Sequence, residues 1–181
     1  INTAAIYDPA LDAWTAIASM STVRGGPQLA LLGDGRVLAA GGVDGADNYL
    51  NTAEIYDPVN GTWAPAAAMS SGRSNPGIAT LSDGKILLVG GFGAGTAAEL
   101  YDPAANTWTA AGAMSVPRYA PQVARLPNGK IMVTSGSGGS APAEAADIYD
   151  PATNSWTATA VMGVARYVSA MVLVNGTPVV M

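Results

Sequence analysis

The chain has 181 residues, of which 49% are hydrophobic and only 12% are charged, and its formal net charge is −5. This mixture is too apolar and too weakly charged for a disordered chain, so it predicts a folded domain. The acidic balance argues against a nucleic-acid binding surface, because no surplus of basic residues is present to neutralise phosphates.

Two residue types are missing from the composition. The chain has no cysteine, which excludes disulfides, thiolate nucleophiles and Cys-ligated zinc. It also has no histidine, which removes the commonest general base and the commonest metal ligand. Most hydrolase and metalloenzyme interpretations are thereby excluded, and we expect no metal and no cofactor.

The sequence repeats itself four times, at steps of 49, 45 and 48 residues. In each copy Tyr-Asp-Pro is followed by a tryptophan, a methionine and an arginine at the same spacing. The copies begin at Tyr7, Tyr56, Tyr101 and Tyr149, and continue with Trp14, Trp63, Trp108 and Trp156, with Met20, Met69, Met114 and Met162, and with Arg24, Arg73, Arg118 and Arg166. Such self-similarity at a fixed period predicts a repeat architecture.

Every predicted element within a copy is a strand. Residues 29–32 and 36–40 flank the turn sequence Gly33-Asp34-Gly35, which predicts a hairpin. The matching hairpins join 78–81 to 85–89 and 123–126 to 130–133. A strand ending in Tyr-Asp-Pro comes next, and the tryptophan strand follows it. Four short strands per copy are typical of a β-propeller blade.

This combination of landmarks resembles the kelch repeat. The residues that carry the resemblance are 53–58, Trp63, Met69, Arg73, 83–85 and Gly90-Gly91, and matching landmarks run through essentially the whole chain. The resemblance implies an all-β propeller with four-stranded antiparallel blades, in which the double glycine ends the second strand of a blade. It does not imply the copper chemistry of galactose oxidase, because that site uses histidine and cysteine ligands.

The repeats divide the chain into a half-blade (1–20), three full blades (24–69, 73–114 and 118–162) and a second half-blade (166–181). Three arrangements are compatible with this division. The chain is a fragment of a larger ring, half of an eight-bladed homodimer, or a four-bladed ring closed by its own ends. A repeat array cannot bury its terminal faces by itself.

The repeated arginines are the predicted ligand-binding residues. Each precedes the innermost strand of a blade, so we expect them to surround the mouth of the central channel, where a ring of guanidinium groups would attract an anion. The predicted set is Arg24, Arg73, Arg118 and Arg166, with Tyr119 and Tyr167 adding flat contact area. In the competing interpretation, each arginine binds backbone carbonyls or an acidic residue of a neighbouring blade.

The links between the second and third strands differ among the copies. Residues 43–52 form a long polar link, 92–96 a short one, and 137–142 a link rich in glycine and serine. Variable loops on a constant scaffold are typical of specificity loops. Asp44 and Asp47 lie in the first link, but their spacing lacks the ligand series of a calcium loop.

Three functional hypotheses follow. The first is a non-catalytic module that binds an acidic peptide or an anionic glycan at the channel mouth, and neither nucleic acid nor a membrane. The second is a cofactor-free sugar mutarotase or epimerase, which the resemblance allows, with Glu54, Glu99 or Glu144 as acid–base groups. The third is a ligand-free structural or engineered scaffold. The alanine-rich, lysine-poor composition is typical of a secreted or periplasmic bacterial protein.

Overall fold

A computed structural model of the chain describes residues 1–138, 144–164, 166 and 170–181. This part of the chain contains sixteen strands and no helix, and therefore no helix that could span a membrane. The strands are β1 (Ala4–Asp8), β2 (Ala13–Ile17), β3 (Gln28–Leu31), β4 (Val37–Ala40), β5 (Ala53–Asp57), β6 (Thr62–Ala66), β7 (Gly77–Thr80), β8 (Ile86–Val89), β9 (Ala97–Asp102), β10 (Thr107–Ala113), β11 (Gln122–Arg125), β12 (Ile131–Thr134), β13 (Asp147–Asp150), β14 (Ser155–Ala158), β15 (Met171–Val174) and β16 (Thr177–Val180).

The strands form five antiparallel sheets in chain order. β3–β6, β7–β10 and β11–β14 each form a four-stranded sheet in which sequence neighbours pair, and β1–β2 and β15–β16 form two-stranded sheets. This confirms the predicted all-β fold of kelch-type blades. In the described residues the two end sheets are not hydrogen-bonded to each other, so the chain is not closed into a four-bladed ring by its own ends.

The blades fan out from an axis on which their first strands lie. β7 contacts both β3 and β11, and β11 contacts β15. These first strands therefore line the predicted central channel, and the links that precede them lie at one end of it. The other end carries the hairpin turns, such as Asp34-Gly35, where Gly35 has a φ of +87° and Asp34 accepts a hydrogen bond from the Arg36 amide. The left-handed backbone there is the reason for glycine.

The hydrophobic core lies between adjacent blades. One cluster joins the first full blade to the second and contains Leu38, Ile55, Met69, Ile86, Leu88 and Tyr101. The next joins the second blade to the third and contains Leu87, Val89, Met114, Ile131, Val133 and Tyr149. Each blade therefore buries its apolar faces only against its neighbours, as expected for a repeat array. The end sheet β1–β2 leaves Ile6, Tyr7 and Trp14 exposed.

The repeated tyrosine and tryptophan form a ring pair in each copy. Tyr101 and Trp108 are cross-strand partners whose ring centroids lie 5.0 Å apart. The Trp108 indole N–H also donates to the Ala67 carbonyl of the preceding blade, at 2.9 Å. Trp14 also forms a ring pair with a tyrosine, Tyr7, but Trp14 is 72% exposed. The repeated tryptophan therefore stabilises the contact between two blades wherever a preceding blade is present.

Trp108 and Trp14 form a matched pair for a stability test. Trp108→Ala should lower the free energy of unfolding by about 3 kcal/mol, because it removes a large, partly buried aromatic group from an interblade contact. Trp14→Ala, at the same repeat position, should lower it by about 1 kcal/mol or less, because little packing is lost at an exposed site. Urea denaturation measures both values. Equal, large losses would contradict the exposed position of Trp14.

Candidate functional site at the channel mouth

The predicted arginines lie at the channel mouth, but their charged groups point into the blades. Arg24, Arg73 and Arg118 are 3%, 0% and 0% exposed. Nη1 of Arg24 donates to the carbonyls of Gly41 and Thr52, both at 2.8 Å. The corresponding nitrogens of Arg73 and Arg118 donate to the carbonyls of Gly90 and Ser135, which end the second strands of their own blades. These arginines hold the mouth loops of each blade together.

A carboxylate of the same blade neutralises each of these arginines. Nη2 of Arg24 lies 3.1 Å from Oε1 of Glu54, and Nη2 of Arg118 lies 2.9 Å from Oδ2 of Asp147. Arg73 forms the equivalent pair with Glu99. All three carboxylates are on third strands and are at most 4% exposed. Buried charges are tolerated in proteins when they are paired and hydrogen-bonded, as they are here.

The carboxylates also bind the link that enters the blade. Glu54 accepts from the Ser21 amide at 2.7 Å, Glu99 from the Ser70 amide at 2.9 Å, and Asp147 from the Ser115 amide at 3.0 Å. Burial raises the pKa of Glu54, but the hydrogen bonds from Ser21 and the charge of Arg24 outweigh that effect and leave the pKa below its ordinary value. Glu54 is therefore ionised at neutral pH.

These contacts give the arginines a structural role and correct two sequence-based expectations. The predicted guanidinium groups of Arg24, Arg73 and Arg118 are not open to an anion, because a carboxylate and backbone carbonyls already bind them. The acidic partner comes from the same blade, not from a neighbouring one. Glu54 and Glu99 cannot act as exposed acid–base groups, because they are buried in these same pairs. In the third full blade the equivalent carboxylate is that of Asp147, whereas Glu144 is exposed.

The double glycines allow neighbouring blades to approach closely. Gly90 has a φ of +59°, and a Cβ atom there would lie 2.4 Å from the carbonyl oxygen of Arg118 in the next blade. The following Gly91 amide donates to that same oxygen at 2.9 Å. Gly41 and Gly42 make the equivalent contacts with Arg73. The arginine backbone thus joins two blades, while its side chain remains within one.

A short backbone bridge fixes the surface of each mouth loop. The residue after the arginine pairs with the residue after the glycine pair, as Gly25 with Val43, Ser74 with Phe92, and Tyr119 with Ser137. In the second blade the Ser74 and Phe92 amides each donate to the other residue's carbonyl, at 3.1 and 2.9 Å. Side chains at these bridge positions are therefore held on a rigid part of the loop.

Three aromatic side chains form a row across the mouth. The ring of Phe92 is nearly parallel to those of Tyr119 and Tyr49, with centroids 4.6 and 6.5 Å away and interplanar angles of 12° and 17°. Tyr49 is 48% exposed, Phe92 is 39% exposed and Tyr119 is half-buried. We call Tyr49, Phe92 and Tyr119 the aromatic row. Its three members belong to the loops of three successive blades.

Two adjoining depressions open beside the aromatic row. The first, the aromatic cleft, has a volume of about 350 Å³ and is lined by Val43, Asp47, Tyr49, Ser74, Asn75 and Phe92. The second, the amide cleft, has a volume of about 290 Å³ and is lined by Gln28, Asn75, Pro76, Gly77, Ile78, Ala120, Pro121, Gln122 and Val123. Asn75 lines both. Among the described residues, no group of acidic side chains is arranged to hold a metal ion.

The structure brings together only part of the predicted site. Tyr119 belongs to the aromatic row, whereas Tyr167 lies outside the described residues. Arg166 is half-buried and forms no ion pair with the described residues. Tyr49 and Phe92 were not among the predicted site residues. Phe92 directly follows a double glycine, and Tyr119 directly follows a repeated arginine, so the repeat itself indicates that both occupy bridge positions. The stacking of their rings, however, depends on the fold.

Residues 29–70 match the family model of the kelch motif. The same landmarks recur in the other copies, and each of these forms the same strand pattern. A kelch motif is therefore shown at residues 29–70, and the other copies are similar to it in their landmarks and strand order. No curated protein matches it. Kelch repeats generally form non-catalytic β-propeller binding modules, and kelch domains generally mediate protein interactions.

The buried arginine pair gives a stability prediction. Arg73→Gln should lower the free energy of unfolding by about 3–5 kcal/mol, because it leaves the Glu99 carboxylate buried without its cation. The matched control is Arg36→Gln, which breaks the exposed pair with Asp34 and should cost about 1 kcal/mol or less. Urea denaturation of both variants measures the difference. Similar, small losses of unfolding free energy in the two variants would contradict a structural role for Arg73.

The lowered pKa of Glu54 gives a pH prediction. A carboxylate whose pKa is lower in the folded state contributes stability above its ordinary pKa of 4.5, and that contribution is lost as the pH falls through the folded-state value. The melting temperature of Glu54→Gln should therefore fall furthest below that of the wild type at neutral pH. The difference in melting temperature between the two proteins should decrease below pH 4.5. A gap that stays constant with pH would contradict this assignment.

Proposed function

We propose that the chain is a non-catalytic module that binds a peptide segment of a partner protein at the channel mouth. The general role of kelch domains in protein interactions supports a protein ligand. The observation that carries the proposal is the aromatic row, because large aromatic side chains on a rigid surface are the usual anchors of protein recognition.

The exposure of the aromatic row has no explanation in blade packing. Trp14 is exposed on an end sheet that packs against no preceding blade within the described residues. Phe92 and Tyr119, by contrast, lie on blades that have a described neighbour on each side, and still present their rings at the surface. Exposed apolar groups gathered at one place on a folded protein mark interaction sites more often than scattered ones do.

The loops that carry the row are held in place before any ligand binds. The Ser74–Phe92 bridge is anchored by the buried Arg73–Glu99 pair, and the Tyr119–Ser137 bridge by the Arg118–Asp147 pair. A surface that needs little ordering on binding retains more of its interaction energy as affinity. In this proposal the arginines contribute to binding by positioning the row, not by touching the ligand.

Two other ligands were expected from the sequence. An acidic peptide held by the arginines would need free guanidinium groups, and those of Arg24, Arg73 and Arg118 are bound to carboxylates. An anionic glycan would need the same charges. A peptide with apolar or aromatic side chains needs none of them and matches the row.

The proposal predicts that removal of one ring weakens peptide binding. The wild-type chain, immobilised and exposed to a displayed library of random short peptides, should enrich a common sequence. Phe92→Ala should bind synthetic peptides of that sequence at least about tenfold more weakly, as expected for loss of a central aromatic anchor. Calorimetric titration gives the affinities.

The control is Trp14→Ala, which removes an exposed aromatic side chain away from the mouth and should bind those peptides like the wild type. Melting curves establish that both variants are folded. Enrichment no greater than on the bare support, or enriched peptides that bind Phe92→Ala unchanged, would refute the proposal. Capture of glycans on an array, without capture of peptides, would assign the site to carbohydrate instead.

A further inference from the structure

The aromatic cleft combines two rings with a carboxylate. Tyr49 and Phe92 form the aromatic part of its lining, and Asp47 contributes an exposed carboxylate. Among the described residues, the Asp47 side chain has no ion-pair partner and accepts no hydrogen bond. A carboxylate beside aromatic faces is an arrangement that attracts a cation.

The loop that carries Asp47 is held by its neighbour Asp44. The Asp44 side chain accepts hydrogen bonds from the amides of Ala46 and Asn48, at 2.8 and 2.9 Å. Hydrogen bonds from Asn48 hold the pKa of Asp44 below its usual value, so this second carboxylate is negative at neutral pH. Asp47 has a left-handed backbone, with φ of +62°, within this turn. The loop therefore places the Asp47 carboxylate in the lining of the cleft and holds a second negative charge, that of Asp44, in the same turn.

The basic residues of the chain are mostly neutralised. Six of the eight form ion pairs. Three of these pairs are buried beneath the mouth. The other three involve residues that directly precede β4, β8 and β12 at the hairpin turns of the opposite end, namely Arg36, Lys85 and Lys130. With a net charge of −5, Asp47 in the cleft lining and Asp44 in the same loop, the local field favours a positive ligand group.

We propose that the aromatic cleft binds an arginine or lysine side chain of the partner peptide. This inference rests on the peptide-binding function proposed above and specifies its ligand. The cation lies against the rings of Tyr49 and Phe92 and donates hydrogen bonds to the Asp47 carboxylate. Arginine fits better than lysine, because its planar guanidinium stacks on aromatic rings and binds a carboxylate through two donors.

The amide cleft provides a place for the peptide backbone next to that side chain. The side-chain amides of Gln28, Asn75 and Gln122 make no hydrogen bonds with the described residues, and each can both donate and accept. The backbone of Asn75 is fixed at both of its polar groups. Its backbone N–H donates to the Gly26 carbonyl at 2.9 Å, and its backbone carbonyl accepts from the Ala120 amide at 3.0 Å. Because Asn75 lines both clefts, one extended peptide reaches both.

The test is a peptide array in which the central residue is arginine, lysine, citrulline, glutamine or glutamate, within several flanking sequences. Citrulline has nearly the shape of arginine and no charge. We expect arginine peptides to bind about tenfold more tightly than their citrulline counterparts, and glutamate peptides to bind least, since the carboxylate and rings favour a cation. Binding of the arginine peptides should weaken as salt is added.

Asp47→Asn should reduce the arginine-to-citrulline preference to about twofold, because the ring contacts remain. The matched control is Asp83→Asn, which changes an exposed aspartate of a hairpin turn where the next copy has Asn128, and should leave the preference unchanged. Peptide binding without preference for a cation, or with preference for glutamate, overturns this inference and leaves the peptide-binding function intact. Failure of every peptide to bind overturns both.

Discussion

A guanidinium group buried beside one carboxylate determines the shape of each mouth loop. Once Arg73 is sealed from water, its Nη1 and Nη2 donors need acceptors, and these come from the end of the second strand, the start of the third strand and a carboxylate on the third strand. Since an unpaired buried charge is strongly destabilising, none of these partners can move independently. The rim geometry follows from satisfying this one group.

The third blade satisfies the same requirement with a shorter carboxylate. Asp147 replaces the glutamate of the other blades, and both Nε and Nη2 of Arg118 reach its Oδ2, at 3.3 and 2.9 Å. In the second blade, Nε of Arg73 is buried without a partner. Each blade therefore requires a carboxylate at this position on its third strand. It tolerates a difference of one methylene group in the length of the side chain that carries the carboxylate.

The repeat made the fold predictable from sequence, because each landmark has a local cause. The Asp-Gly turns, the strand order and the tyrosine–tryptophan pairs all follow from spacing within one copy. The ion-pair partners Arg24 and Glu54 are 30 residues apart in the sequence. Sequence alone therefore left the arginine open to two interpretations. The aromatic row was less accessible still, since Tyr49, Phe92 and Tyr119 belong to three different loops and meet only when the blades stack.

The location of each arginine–carboxylate pair within one blade separates the constant part of the blade from its variable loops. Residues 43–52 and 92–96 differ in length and chemistry, yet both follow a glycine pair whose amides donate to equivalent backbone carbonyls. A loop of one blade can therefore be exchanged for another without changing how the neighbouring blades dock. Duplication followed by divergence of single loops would give a family of surfaces on one scaffold, and a protein engineer can graft new binding specificities there one blade at a time.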